Sequence, residues 1–186
     1  MKKYISIAIL MIISIIHVKG QSDVGFTNVP VINGKVVFEQ FILADQGVAA
    51  GKRYTMLQKW GKDTFTGNPL LSGIRFNDKE QTVTVSSKAE LNLPANKTGV
   101  SETMVMTYRF DATITNAGCV LVVRDITYQN AQKESGSFFP KIYTAEESIT
   151  DQAVNAKGGD SELRNNLRKE TLNFLNKLYS DLSAVF

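Results

Sequence analysis

The chain offers few residues that could do chemistry. Its 186 residues include one histidine, His17, and one cysteine, Cys119. His17 sits in an N-terminal segment laid out like a secretory signal peptide. Met1-Lys2-Lys3 is basic, Tyr4 to Ile16 is apolar, and Val18 and Gly20 are small enough for cleavage before Gln21. Once residues 1–20 leave, no imidazole remains, so Ser-His-Asp and Cys-His nucleophilic sites are excluded. Zinc held by His or by several Cys is excluded too. A lone thiol cannot close an intramolecular disulfide, and Cys119, on an apolar run just after a turn, reads as a small packed hydrophobe.

Carboxylates, hydroxyls and lysines are left. Two Asp/Glu side chains held ~5–9 Å apart across a cleft could hydrolyse a glycoside. Glu147 with Asp151, one helical turn apart, and Asp78 with Glu80, at a turn, are the candidates. Both pairs read first as solvated surface charge, and the ligand spacing of an EF-hand is absent. Gly47-Val48-Ala49-Ala50-Gly51-Lys52-Arg53 follows a strand and opens a helix, as a phosphate loop would. It has one residue too few between its glycines, and Arg53 stands where Ser or Thr should hold magnesium. A simple anion at that helix N-terminus stays open. The residues thus predict no catalytic residue, no metal, no cofactor and a protein that is not an enzyme.

Charge narrows the partners. The full chain carries +3, with 21 basic and 18 acidic side chains, but Lys2, Lys3 and Lys19 leave with the signal and the mature chain is neutral. Nucleic-acid binding, which draws on a basic excess to release counterions, is not expected. The 13-residue apolar run from Tyr4 to Ile16 falls short of the ~20 residues that span a bilayer. An uncleaved anchor is the alternative to a cleaved signal, and with no cysteine after the run a lipoprotein is excluded. The expectation is an exported protein, periplasmic or extracellular, with no transmembrane segment after cleavage.

These side chains need elements to hold them. Residues 21–33, with Pro30, read as an extended tether. Lys35 to Leu43 reads as a strand covered on both faces, because apolar residues occupy both parities. A helix follows from about Val48 to Lys62, with Ala50, Tyr54, Leu57 and Gly61 on one stripe and Trp60 beside it as a core residue. Leu71 to Phe76 and Glu80 to Leu93 are strands. Asn96-Lys97-Thr98 matches a glycosylation acceptor, and Thr103 to Tyr128 is a long hairpin. An irregular crossover leads to Thr144-Ala145-Glu146-Glu147, a capping box. Gly158-Gly159 stops that segment, and Asp160 or Ser161 caps a last helix with an apolar stripe through Leu163, Leu167, Phe174, Leu178, Leu182 and Val185. The order β-α-β-β-β-β-α makes one α+β domain over residues 34–186.

The hairpin organises the rest. Met104, Met106, Tyr108, Phe110, Ala112 and Ile114 alternate with mostly polar neighbours, so one face is buried and the other wet. Asn116-Ala117-Gly118 suits a three-residue loop with glycine in the left-handed position. That register puts Ala112 opposite Val122, Tyr108 opposite Ile126, Met106 opposite Tyr128 and Arg109 opposite Asp125. It leaves oddities. Leu121 and Val123 face away from the core, where a loop, the crossover or a partner must cover them, and Arg124 lands on the apolar face opposite Phe110. Arg124 could snorkel at the sheet's end or line a site, and a bulge at Arg124-Asp125 would shift the pairing. Arg124, Leu121, Val123, Arg109 and Asp125 are therefore the candidate interaction surface.

The order of elements resembles an uncharacterised domain family of exported proteins in Gram-negative bacteria, assigned a TATA-binding-protein-like fold. The matching stretches are Gly34-Lys35-Val36-Val37-Phe38, the helix ending in Trp60, the hairpin closing with Asp125-Ile126-Thr127-Tyr128, and the tail from Glu146-Glu147 through Ile149-Thr150-Asp151 to Arg168-Lys169-Glu170-Thr171. The resemblance implies one curved antiparallel sheet with two helices on one face, and no activity or cofactor. The DNA binding of the fold's namesake does not carry over, since fold alone does not imply function. Three readings remain: a binding module of the cell envelope, a carboxylate-dependent hydrolase acting on envelope or glycan material, and a structural envelope component. A binding module's partner would be an envelope protein, a glycan or a small apolar ligand.

Overall fold

The structure is a computed structural model that describes residues 25–95, 99, 101–131, 141–156 and 160–186. The signal-like segment, the Asn96-Lys97-Thr98 acceptor, the Gly158-Gly159 stop and much of the crossover lie outside those residues. In chain order the described elements are β1 (Val31–Ile32), β2 (Lys35–Val36), β3 (Phe38–Leu43), α1 (Ala50–Phe65), β4 (Ser72–Asn77), β5 (Thr82–Asn92), β6 (Thr103–Ile114), β7 (Gly118–Asn130), β8 (Ile142–Thr144), α2 (Ala145–Ser148), α3 (Asp151–Asn155) and α4 (Ser161–Ser183).

Strands β3-β7-β6-β5-β4 lie side by side, all antiparallel, with β8 also paired to β7. The alternation in β6 is realised in full: its six even-numbered residues from Met104 to Ile114 are buried. Val83, Val85 and Leu91 of β5 continue that face. The two long helices cover it. From α1, Trp60 and Phe65 pack on Phe110 with ring centroids 6.0 and 5.4 Å away. From α4, Phe174 meets Tyr108 edge-on at 5.1 Å, and Thr171 Oγ1 lies 2.9 Å from the Tyr128 hydroxyl in full burial. Trp60 is thus the helix-to-sheet contact its stripe predicts.

The lead is not a tether. Phe26 packs on Phe38 and Tyr179, with centroids 5.1 and 6.3 Å apart. Its N–H donates to Asn176 Oδ1 while Asn176 Nδ2 donates to its carbonyl. β1 and β2 form a small hairpin whose turn residues, Asn33 and Gly34, take φ of +51° and +77°, the left-handed pair that Asn-Gly adopts readily. Strand β3 is buried on one face only. Phe38 and Ile42 point under the helices, whereas Phe41 and Leu43 are 41% and 70% exposed. As the strand at the sheet's edge it has helices on one side alone. The crossover ends in β8, an edge strand too short to show a period.

The hairpin departs most from the expected register. Ile114 pairs with Cys119, Ala112 with Leu121 and Phe110 with Val123, one step off the sequence reading, while Met106 pairs with Tyr128 as expected. The slip occurs between Arg109↔Arg124 and Thr107↔Thr127, where Asp125 and Ile126 together oppose Tyr108. This is a β-bulge, with Asp125 at a left-handed φ of +55°. It changes parity along β7: Cys119, Leu121 and Val123 are buried before it, Ile126 and Tyr128 after it. At the turn, Thr115 N–H donates to Gly118 O at 2.8 Å, so the loop proper is Asn116-Ala117. Gly118 does not hold a positive φ. It is needed because a Cβ there would lie 2.0 Å from the Ile42 carbonyl oxygen of β3.

The bulge makes a graded prediction for a denaturant melt. Asp125→Gly keeps stability within about 1 kcal/mol of the parent, because glycine occupies φ > 0 without strain. Asp125→Val costs more than about 1 kcal/mol, since a β-branched residue resists that conformation. Deleting Asp125 turns Ile126 and Tyr128 away from the core and abolishes cooperative folding. A deletion variant as stable as the parent would show that the bulge does not set the register.

Candidate functional site

The face of the sheet opposite the two long helices carries the odd-numbered residues of β6 and their cross-strand neighbours. Thr82 pairs with Thr113, Thr84 with Asp111, Ser86 with Arg109 and Lys88 with Thr107. This face is lined with hydroxyls, and the Thr82 and Thr113 hydroxyls bond at 2.9 Å. The bulge turns Arg124 onto the same face, directly across from Arg109. Two like charges opposite one another on neighbouring strands repel unless something sits between them. Asp111 does so.

Asp111 is the centre of the cluster. Arg124 donates to its Oδ2 through Nη2 at 2.9 Å and Nε at 3.3 Å. Arg109 Nη2 approaches Oδ1 at 3.5 Å, and Thr84 Oγ1 donates to that atom at 2.6 Å. Partial burial pushes the Asp111 carboxyl up, but the Thr84 hydroxyl and the two guanidinium groups outweigh it and hold the acid below its ordinary range. Arg124 also reaches Asp125 at 3.3 Å. The network consumes little of Arg109, whose Nε is buried with no partner among the described residues.

Beside the cluster the face dips into an open depression of about 410 Å³, lined by Arg75, Phe76, Asn77, Asp78, Thr84 and Arg109. Arg75 stands next to Thr84 across β4 and β5, exposed and without an ion pair to a described residue. Asp78 is turned toward α1, where it accepts from the Tyr54 hydroxyl at 2.9 Å and from Gln58 Nε2 at 3.0 Å. Burial and the Asp78 carboxylate together raise the Tyr54 phenol above its usual value.

The expected surface residues divide in two. Arg109, Arg124 and Asp125 do lie together on the uncovered face. Leu121 and Val123 do not: both are fully buried, opposite Ala112 and Phe110 beneath the helices. The bulge is the reason, since it places the odd residues of β7 inward before Arg124. Val120 and Val122 take the outer positions, across from Phe41 and Glu39. Arg109 faces Arg124 rather than Asp125, and Arg124 is not on the apolar face. Asp111, Thr84 and Arg75 were not singled out from sequence. Asp111 shares the parity of Arg109, which was the available signal.

The other candidates have structural partners. Glu147 closes the capping box with Thr144 at the start of α2, and Asp151 pairs with Arg168 of α4. Glu80 accepts from Asn77 Nδ2 at 2.9 Å. Glu146 receives the Val36 N–H at 2.9 Å. Burial raises the Glu146 carboxyl, but that N–H, its own backbone, Lys35 and Thr144 bring it below its ordinary value. Cys119 is fully buried and desolvation pushes its thiol up to about 12, which leaves it a packed hydrophobe. Among the described residues, no three His, Cys, Asp or Glu side chains converge as metal ligands.

Asp111 gives a pH prediction with a definite sign. A lowered folded pKa stabilises above the unfolded value of about 3.9 and is lost as pH falls through the folded one. Asp111→Asn therefore costs about 1–2 kcal/mol at pH 7, where a partly exposed, charge-assisted cluster is removed. The gap between the two proteins closes in thermal melts taken progressively below pH ~4. A gap that persists undiminished to the acid limit would show that Asp111 is not the charged centre.

Solved structures share this architecture. A TBP-like protein from Parabacteroides distasonis ATCC 8503 matches with a TM-score of 0.65 at 22% identity, over 84% of this chain and 96% of that one. A DUF4468 family protein from Bacteroides ovatus ATCC 8483 matches with a TM-score of 0.68 at 20% identity, over 89% of this chain and 95% of that one. No family model and no curated protein matches the chain. What these structures share with it is the TATA-binding-protein-like α+β fold, as the sequence resemblance implies.

Proposed function

We propose that this chain is an exported binding module of the bacterial envelope and that it works through the uncovered face of its sheet without catalysing a reaction. The observation that carries the reading is the pair of guanidinium groups, Arg109 and Arg124, held side by side on that face by a bulge with a left-handed aspartate. Strained residues of this kind persist where the surroundings over-determine them, and they concentrate at working sites. Export rests on the signal-like layout of residues 1–20.

The carboxylates argue against acid–base work. A general acid at neutral pH needs a raised pKa, whereas Asp111 and Glu146 are both shifted down. The two pairs suggested by sequence are taken up by a helix cap, an ion pair and turn contacts. A surface glycan or an envelope protein suits a face of hydroxyls and guanidinium groups. A small apolar ligand does not, since the depression has polar walls.

The protein, expressed with its own N-terminal segment and purified, is immobilised and presented with envelope extract and with a panel of glycans. The double variant Arg109→Gln/Arg124→Gln loses the bound species, while Lys169→Gln, on the exposed side of α4, retains it. Thermal melts confirm that both variants fold. Equal capture by the double variant and the parent would overturn the reading.

A further inference from the structure

We infer that the depression beside Arg109 is a subsite for a hydroxylated monoanion, the carboxylate-bearing sugar residue of an acidic polysaccharide. The inference rests on the uncovered face being the working surface and names what that surface takes. Three observations lead to it.

The first is charge. Arg75 and Arg109 bring two guanidinium groups to the lining and Asp78 brings one carboxylate, so the walls carry a single net positive charge. Tyr54 and Gln58, both neutral, hold the Asp78 carboxylate toward α1 without cancelling its charge, so the two guanidinium groups outweigh it by one. A guanidinium fork matches a carboxylate in two parallel hydrogen bonds. Asp78 in the wall and Asp111 behind Thr84 would repel a dianion, so one carboxylate fits this lining better than a phosphate monoester.

The second is unmet donor capacity. Arg75 has no ion pair to a described residue. Among the described residues Arg109 makes one long polar contact, 3.5 Å to Asp111, and its buried Nε has no partner. Its side chain is a third exposed and lines the depression.

The third is shape. A depression of about 410 Å³ lies near the lower end of the range for small-ligand sites, room for one or two sugar rings. It is open, as entry of an extended polymer requires. Asn77 Nδ2 spends one of its two protons on Glu80, and Asp78 meets Tyr54 and Gln58 through Oδ1, so the second amide proton and Asp78 Oδ2 are left as a donor and an acceptor for ring hydroxyls. The lining takes Arg75 to Asp78 along and just past the edge strand β4, with Thr84 from β5 and Arg109 from β6. A peptide joining the sheet as an added strand would pair along that edge and leave Thr84 and Arg109 untouched.

The test is an amide chemical-shift titration of the protein with a trimer of galacturonic acid, the same trimer as its methyl ester, and triglutamate. The acid trimer moves the resonances of Arg75, Thr84 and Arg109, and added salt reverses the shifts. The methyl ester leaves them in place and triglutamate binds more weakly. Arg75→Gln and Arg109→Gln each weaken the acid trimer by roughly tenfold or more, the loss expected for a charge-assisted pair. Equal binding of the methyl ester at the same residues would overturn the anion assignment while leaving the face as the working surface. Triglutamate binding as tightly as the sugar would overturn the sugar class. An acid trimer that shifts nothing on this face would remove the subsite, and only unchanged capture by Arg109→Gln/Arg124→Gln would remove the surface as well.

Discussion

The pairing of β6 with β7 cannot be continuous, because the two halves of β7 bury residues of opposite parity. Leu121 and Val123 are odd, Ile126 and Tyr128 are even, and all four are buried. An uninterrupted ladder would expose one pair or the other. Each such side chain is worth about 1.5–3 kcal/mol of burial, so an exposed pair costs on the order of 3–6 kcal/mol. A single aspartate in the left-handed region costs about 1 kcal/mol. The bulge wins by a clear margin, and the positions of Arg124 and Asp125 follow from it.

The same bulge divides the outer edge of β7. Before it, Gly118 to Val123 pair with β3; after it, Thr127 to Gln129 pair with β8. Neither edge strand continues across the kink. The seam is closed from the side: Glu146, on the first turn of α2, accepts the N–H of Val36 just ahead of β3. Edge groups elsewhere are also met, with the Tyr179 hydroxyl of α4 reaching the Phe41 carbonyl at 3.5 Å. An open edge invites pairing with another chain, and here α2 and α4 blunt it from the covered face. The two faces of the sheet are thereby set apart: one carries the core and its sealing contacts, the other carries charge.

How far the sequence could be read follows from the range of each cause. The alternation in β6 is local and predicts its buried face residue by residue. The capping box at Thr144 and Glu147 is local too. Asn33-Gly34 was an equally local hairpin signal, passed over because Pro30 and the lack of a period suggested a tether. The parity change in β7 was harder to see. Val120 to Val123 are all apolar, so alternation there cannot separate inside from outside, and a register extended back from Ile126 and Tyr128 puts Leu121 and Val123 on the wrong face. Gly118 looked like a turn glycine, yet its reason is the Ile42 carbonyl of a strand that begins eighty residues earlier. Asp111 and Arg75 join the site through cross-strand neighbours, a relation that no window along the chain contains.

The uncovered face also shows what stability alone would not produce. A face serving only to keep the sheet in solution could carry threonine and lysine throughout, as the ends of β5 and β6 largely do. Its centre instead holds a partly desolvated Asp111, two guanidinium groups opposed across a ladder and an Arg109 Nε with no partner among the described residues. An unsatisfied buried donor costs about 1–3 kcal/mol, and ion pairs this exposed return at most about 1 kcal/mol each. The cluster as a whole therefore adds little net stability, although removing Asp111 alone leaves two guanidinium groups opposed and is costly. Departures from local optimality that the rest of the fold supports are where a working site is expected. Here the supporting device and the departure share one position, since the residue that corrects the core's parity also turns Arg124 outward.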